Sequence, residues 1–174
     1  MVEWISKADT AKLVRAELKK NFPGVKFKVT SGRGSVIRVE WYDGPRLSAV
    51  EKVAGHFEHS YMDLYEDMKK TKDPDAPVQY ANDFIFFSRL YSVDFYRRIV
   101  AHLSERFGVE MPPVYKCNYN DEGRLAPYSE YTTLYEQFHK RFHWRIEDFI
   151  WKRCEFYTLD DKGELVFHNE EAWL

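Results

Sequence analysis

The sequence has few cysteines and no long apolar run. Its two cysteines, Cys117 and Cys154, follow no metal-binding spacing, so we expect reduced thiols, with a disulfide as the alternative. All apolar runs are far shorter than the roughly 18 residues of a transmembrane helix. The first ten residues lack the apolar segment of a secretory signal. These absences predict a cytoplasmic protein that does not bind a membrane.

Sequence motifs that are typical of enzymes are also missing. There is no G-x-S-x-G, no P-loop and no H-E-x-x-H, and no Ser-His-Asp or Cys-His set can be assembled from the sequence. The Gly-containing segment at residues 31–35 is too short for a phosphate-binding loop and has no helix after it. The sequence therefore predicts no catalytic residues, no cofactor and no enzymatic activity.

The composition is that of a folded domain. Hydrophobic residues make up 44% and aromatic residues 17% of 174 positions, which is enough for a sizeable core. The net charge of −2 is unevenly distributed, because residues 1–50 hold 10 Lys and Arg against 5 Asp and Glu. A basic N-terminal part is typical of a polyanion-binding face, although two faces of one domain can also carry opposite charges with no ligand.

A β-hairpin is predicted over residues 24–45. Apolar and polar residues alternate strictly in 25–30 and again in 37–42, and the connection at 31–35 contains two glycines. Val39 and Trp41 are on the apolar side of this pattern, and Lys28 and Arg38 are on the polar side. The hairpin therefore has one buried face and one mostly basic, solvated face.

Helices and one further strand flank the hairpin. Ser6 is the expected N-cap of a first helix, which Pro23-Gly24 ends, and Pro45 suits the first turn of a second. The segment 60–70 either continues the second helix or breaks from it. Residues 82–90 are apolar on both faces, which predicts a central strand or one covered on both sides. Ser92 then caps a third helix, which Gly108 terminates.

The C-terminal part predicts a long helix and a second hairpin. Aromatic and aliphatic residues keep helical spacing from about Ser129 to Ile150, and residues 155–168 form two short apolar segments around Asp160–Gly163. The fold class is therefore α+β, with a small antiparallel sheet packed with helices. We expect one domain over residues 1–108 and an extension over 109–174 that packs on it. The core of the first should include Phe27, Val39, Trp41, Phe86, Ile99 and Leu103.

Three segments resemble the large polyvalent protein-associated domain 29 family. They are FPGVKFKV at 22–29, GSVIRVEWYDGP at 34–45 and FFSRLYS at 86–92, and the resemblance extends over residues 1–108. It implies a domain found in polyvalent proteins of phages, plasmids and conjugative elements, which are thought to enter a cell with the invading DNA. A small protein of this kind is expected to be a counter-defence inhibitor that binds a host defence protein, such as a CRISPR–Cas effector or a restriction enzyme.

The solvated face of the hairpin is the best candidate site. Lys26, Lys28 and Arg38 project together, with Arg33 at the tip and Tyr42 near the exit. A basic ribbon of this kind can bind DNA or RNA, can bind a partner protein, or can be an ordinary charged face. Arg89 ends an apolar strand and matches the family pattern. We interpret it as a partly buried anchor with a carboxylate partner.

Two histidine groups have weak metal-binding character. Glu136, His139, His143 and Glu147 share one face if residues 129–150 form a single helix, and imidazoles four residues apart can chelate a divalent ion. His56 and His59 lie near Glu58 and Asp63. A solvated helix face is the favoured explanation of the first group, and the second has too few ligands. The sequence therefore predicts no metal, and a metal-dependent enzyme stays the least favoured alternative.

Overall fold

The computed structural model describes residues 2–117 and 120–168. Within them the chain forms two compact units. The first ends at Arg89, and the second begins at Leu90 and also includes Tyr42–Arg46. No helix of the described residues is long and apolar enough to span a membrane. Helices and short strands are mixed in both units, which confirms the α+β class.

The first unit contains two α-helices and seven strands. Its elements are β1 Glu3–Ile5, α1 Lys7–Asn21, β2 Lys28–Ser31, β3 Val36–Tyr42, α2 Leu47–Ala54, β4 Ser60–Asp63, β5 Met68–Thr71, β6 Val78–Tyr80 and β7 Phe84–Leu90, with a 3-10 turn Gly55–Phe57 after α2.

Helix α1 begins and ends where the sequence predicts. Ser6 Oγ accepts a hydrogen bond from the backbone N–H of Asp9 at 3.2 Å, which satisfies one of the free donors of the first turn. Val14 and Leu18 are fully buried. After Asn21 the chain turns at Gly24, whose φ of 88° is accessible to glycine. The apolar stripe of α1 thus belongs to the first core.

The hairpin prediction is confirmed, although the first strand is shorter than predicted. Strands β2 and β3 pair antiparallel, with Val29 opposite Val39, whereas Lys26 lies before the first strand begins. The sheet order is β2-β3-β7. The N–H of Asp83 bonds to the carbonyl of Ser35 at one end and the N–H of Asp43 to that of Leu90 at the other. Strand β7 therefore runs parallel to β3.

The sheets are consequently not all antiparallel. Strands β1 and β6 also pair in parallel, whereas β4 and β5 form an antiparallel hairpin. The segment that the sequence left undecided, residues 60–70, belongs to this hairpin, and α2 ends in the 3-10 turn before it. Helix α2 begins at Leu47, two residues after the predicted Pro45.

The first core lies under the apolar face of the β2-β3-β7 sheet. Ile37, Val39 and Trp41 are buried there, and the rings of Phe27 and Trp41 are 5.6 Å apart. Phe86 does not belong to this core, since half of its surface is exposed. Its predicted burial is wrong because Phe86 lies on the outer face of β7, opposite the face that packs on the core.

The described residues of the second unit form three helices and two hairpins. Its elements are α3 Val93–Phe107, β8 Val114–Lys116, β9 Gly123–Leu125, α4 Tyr128–Phe142, α5 Ile146–Cys154, β10 Tyr157–Leu159 and β11 Leu165–Phe167. Hairpin β8–β9 was not predicted. Hairpin β10–β11 was, and its turn is held by Asp160 Oδ1, which accepts the N–H groups of Lys162 and Glu164.

Helix α3 contributes to the second core and not to the first. Its N-cap Ser92 and its left-handed Gly108 are as predicted. However, Ile99 and Leu103 are buried among residues of α5, β9 and β10, so their predicted membership of a core in residues 1–108 is wrong. The compact units divide at Arg89 and Leu90, whereas the sequence placed the division at residue 108.

The long C-terminal helix is two helices. The chain leaves α4 at His143, whose φ of 56° is left-handed, and re-enters a helix at Ile146. The break lets the rings of Phe138 and Phe149 pack 5.0 Å apart. In a continuous helix these residues would be separated by about 16 Å along the axis. The predicted aromatic residues therefore do pack in the core, but they do so from two helices and not from one.

Candidate functional site

The outward face of the β2-β3-β7 sheet is the surface on which the predicted site lies. Because Ile37, Val39 and Trp41 point into the core, Arg38 and Glu40 of β3 point outward. Arg38 lies opposite Thr30 of β2 and Glu40 lies opposite Lys28. We call Arg38, Phe84 and Phe86 the Arg38–Phe86 face.

Arg38, Phe86 and Phe84 lie in a row on this face, each next to the following one. The guanidinium carbon of Arg38 is 5.9 Å from the centroid of the Phe86 ring, at the outer limit of a cation–π contact. The rings of Phe86 and Phe84 are stacked in parallel, with centroids 6.4 Å apart and planes within 1°. The resulting surface is aromatic, with Phe86 half exposed and the Arg38 guanidinium beside it.

Lys28 contributes little free charge to the surface. Its Nζ lies 2.7 Å from a carboxylate oxygen of Glu40, the residue directly opposite on β3. An exposed pair of this kind adds at most about 1 kcal/mol to stability, but it neutralises the lysine locally. The face is therefore less basic than the sequence suggests.

A lysine of α1 binds the hairpin turn. Lys7 Nζ donates to the carbonyl oxygens of Gly32 and Gly34, at 2.5 and 2.6 Å. The turn carbonyls thus surround an ammonium group, which is the opposite of an anion-binding loop. Arg33 at the tip and Lys26 before β2 are both exposed.

Tyr42 and Arg89 complete the predicted set. Tyr42 is the outward-facing, partly exposed last residue of β3. Arg89 is only 8% exposed and lies on the inner side of β7, so it is a structural residue and is inaccessible to a partner. Its burial agrees with the anchor interpretation, while its carboxylate partner stays a prediction.

The first half of the chain matches a family model. The model for large polyvalent protein associated domain 29 matches residues 5–92, half of the chain. The chain belongs to the large polyvalent protein associated domain 29 family. No curated protein and no solved structure matches the chain.

The match to domain 29 ends three residues after the first unit ends. It stops at Ser92, the N-cap of α3, whereas the resemblance was drawn to residue 108. The family domain therefore contains the Arg38–Phe86 face and the β4–β5 hairpin. Helix α3, which belongs to the second compact unit, lies outside the match.

The predicted histidine groups do not assemble into a metal site. Among the described residues, no three His, Cys, Asp or Glu side chains are placed to hold an ion. Glu136, His139 and Glu147 line a cleft of about 530 Å³ between α4 and α5, but His143 lies at the break after α4. Glu136 accepts a hydrogen bond from the hydroxyl of Tyr128 at 3.1 Å, which raises the pKa of that tyrosine.

The carboxylates near His56 and His59 have other partners. Glu58 accepts from Lys72 Nζ at 2.6 Å and from the N–H of Ile85 at 2.8 Å, and Asp63 is bound by Lys70. The sulfurs of Cys117 and Cys154 are not joined in a disulfide, so the disulfide alternative is wrong.

Sequence reasoning missed Phe84 and Phe86 as surface residues of the family domain. It assigned Phe86 to the core because residues 82–90 are apolar on both faces. The signal that could have found them is the alternation itself. Ile85, Phe87 and Arg89 take the inner positions, which leaves Phe84, Phe86 and Ser88 on the other side of the same strand.

Proposed function

We propose that this protein is a non-enzymatic accessory protein of a phage or mobile element that binds a host protein through the Arg38–Phe86 face. The observation that carries the proposal is the Arg38 guanidinium over the half-exposed Phe86 ring, which is itself stacked on Phe84. Membership of a polyvalent-protein domain family supports the mobile-element context.

The chemistry of this face favours a protein partner. Arginine and large aromatic side chains dominate the binding free energy of protein interfaces when they are desolvated together. Phe86 is already stacked on Phe84, so part of the conformational entropy of its side chain is lost before a partner covers it. Glu40 neutralises Lys28 beside it, which lowers the attraction of the surface for phosphate groups.

The specific role that we propose is counter-defence. The partner would be a host defence protein, such as a CRISPR–Cas effector or a restriction enzyme, and the protein would act in the cytoplasm of the host. Elements that enter with foreign DNA meet these proteins first, and an inhibitor needs only to cover a surface. Family membership and the absence of enzymatic motifs in the sequence support this choice.

Nucleic-acid binding is the second candidate. Exposed rings such as Phe86 can stack on unpaired bases, and Lys26, Arg33 and Arg38 are exposed cations of the same hairpin. The overall charge of −2 opposes this function, because dedicated nucleic-acid binders usually carry a basic surface. Lys26 and Arg33 are therefore the residues whose substitution separates the two functions.

The experiment compares capture and nucleic-acid binding with one set of variants. Wild-type protein, Phe86→Ala and Lys26→Ala/Arg33→Ala are used as baits in a nuclease-treated lysate of the host bacterium. Leu13→Ala, an exposed apolar position of α1, is the matched control. The same proteins are titrated with duplex and single-stranded DNA at several salt concentrations.

We expect a host protein that is retained by wild type, by Leu13→Ala and by the Lys26/Arg33 variant, and lost with Phe86→Ala. DNA binding should be weak throughout. Tight DNA binding at physiological salt that Lys26→Ala/Arg33→Ala weakens would instead favour the second candidate. Each lost phosphate contact should then reduce the duplex salt slope by about 0.9.

A further inference from the structure

The β4–β5 hairpin exposes two adjacent large apolar side chains at its tip. In the loop between the strands, Leu64 is 91% exposed and Tyr65 is fully exposed. Met68, the first residue of β5, is more than half exposed. Single exposed apolar residues are common on protein surfaces, but three within five residues of one hairpin are a candidate interaction site.

This loop is held in one conformation by its own polar residues. Asp63 Oδ1 accepts the backbone N–H groups of Tyr65 and Glu66, at 3.0 and 3.2 Å. Lys70 Nζ bridges Asp63 and Glu66, at 2.7 and 2.8 Å. These contacts lower the pKa of Asp63 and raise that of Lys70, which keeps both charged at neutral pH. A loop that is already ordered loses little conformational entropy when it binds.

The base of the hairpin is fixed as well. Lys69 of β5 donates to Asp83, which also accepts from the hydroxyl of Ser60 at the start of β4. Both strands are thereby attached to the residue that precedes β7. The tip residues Leu64 and Tyr65 are thus carried on a supported hairpin.

The charge around the tip selects the kind of partner. Asp63, Glu66 and Asp67 bring three carboxylates to the loop, and Lys70 is occupied by two of them. Lys69 is bound to Asp83. An apolar tip with an acidic surround is repelled by nucleic-acid phosphates and by anionic lipid headgroups, and it complements an apolar pocket with a basic rim.

We propose that Leu64 and Tyr65 form an anchor that inserts into an apolar pocket, rimmed by Lys or Arg, on a partner protein. This anchor is distinct from the Arg38–Phe86 face and does not depend on it. Its contribution is apolar burial by the two side chains, with Asp67, the carboxylate that Lys70 does not bind, meeting the basic rim.

The test places a photo-reactive p-benzoylphenylalanine at position 65 and, as a control, at the exposed position 19 of α1. Each protein is irradiated in a lysate of the host bacterium and also with neutral and anionic phospholipid vesicles. The protein cross-linked from position 65 is identified, purified and titrated with unlabelled chains. These are wild type, Leu64→Ser/Tyr65→Ser, Asp67→Asn and Phe86→Ala.

A cross-link alone does not support the proposal. Support requires that Leu64→Ser/Tyr65→Ser raises the Kd of the purified partner about 30-fold or more, as for an interface hot spot. Asp67→Asn should raise it about threefold at low salt and less at high salt, since a rim charge acts mainly through screened attraction. The residue cross-linked in the partner should line an apolar pocket beside Lys or Arg.

Several results would overturn the proposal. They are an unchanged Kd for Leu64→Ser/Tyr65→Ser, cross-linking from position 65 only to nucleic acid, lipid or a second copy of the chain, and no specific product relative to position 19. If the partner is lost with Phe86→Ala but retained by Leu64→Ser/Tyr65→Ser, the anchor is wrong while the proposed function stands. Thermal unfolding checks that each variant is folded. We expect Leu64→Ser/Tyr65→Ser to stay folded, because both tip side chains are outside the core.

Discussion

The carboxylate of Asp83 accepts a hydrogen bond from Nζ of Lys69 at 2.9 Å, which ties the start of β7 to β5. The same carboxylate accepts the hydroxyls of Ser35, before β3, and of Ser60 in β4. One mostly buried acidic side chain thus joins three segments of the family domain. Loss of this carboxylate should therefore destabilise the whole first unit.

We expect Asp83→Asn to lower the free energy of unfolding by about 1–3 kcal/mol, as for loss of a charged hydrogen-bond acceptor in a partly buried network. Urea denaturation at pH 7 measures it. Asp75→Asn, at an exposed turn position, is the control and should change stability by less than about 0.5 kcal/mol. Equal stabilities of the two variants would show that the network contributes nothing.

Asp83 should also give the first unit part of its acid sensitivity. Hydrogen bonds from Ser35 and Lys69 hold the pKa of Asp83 below its ordinary value. A lowered folded-state pKa gives stability that is present above the ordinary value of about 3.9 and is lost as the pH falls through the lower folded value. Wild type should therefore lose stability more steeply than Asp83→Asn below about pH 4. Parallel pH profiles would contradict this.

The break after α4 predicts an unusual response to glycine. His143 has a left-handed φ of 56°, a conformation that costs a non-glycine residue about 1 kcal/mol. We expect His143→Gly to stabilise the protein by about 0.5–1 kcal/mol. Lys140→Gly, inside α4, should destabilise it by about 1 kcal/mol. If both substitutions destabilise equally, residues 128–154 form one continuous helix and the break is wrong.

The division into two cores predicts which elements a cavity in each core will destabilise. Leu103 is fully buried in the second core, so Leu103→Ala should cost about 2–5 kcal/mol. Amide hydrogen exchange should accelerate most in α3, α5 and β10. Val39→Ala, in the first core, should act most strongly on α1 and β3. Faster exchange in β3 than in α5 for Leu103→Ala would place Leu103 in the first core, as the sequence suggested.

Local signals in the sequence were sufficient for much of the fold. The cap at Ser6, the alternation from Ile37 to Tyr42 and the left-handed Gly108 are each determined by neighbouring residues, and the structure has them. The resemblance to the domain 29 family was confirmed over residues 5–92. These features need no knowledge of distant contacts.

Features that depend on distant packing were not predictable. The exposure of Phe86 depends on whether distant elements cover the outer face of β7, and the local sequence does not show this. The break at His143 follows from the contact between Phe138 and Phe149, and the sequence there has no glycine or proline to mark it. Lys28 was identified as a site residue, but its pairing with Glu40 depends on the register of the hairpin.

The central claim is that the Arg38–Phe86 face binds a host protein. Its most direct test is the Kd of the purified, captured partner for wild type, Phe86→Ala and the control Leu13→Ala, measured by calorimetry in nuclease-treated samples. We predict that Phe86→Ala raises the Kd about 30-fold, corresponding to a hot spot of about 2 kcal/mol, and that Leu13→Ala leaves it within about twofold. A Phe86→Ala chain that binds the partner as tightly as wild type would contradict the claim.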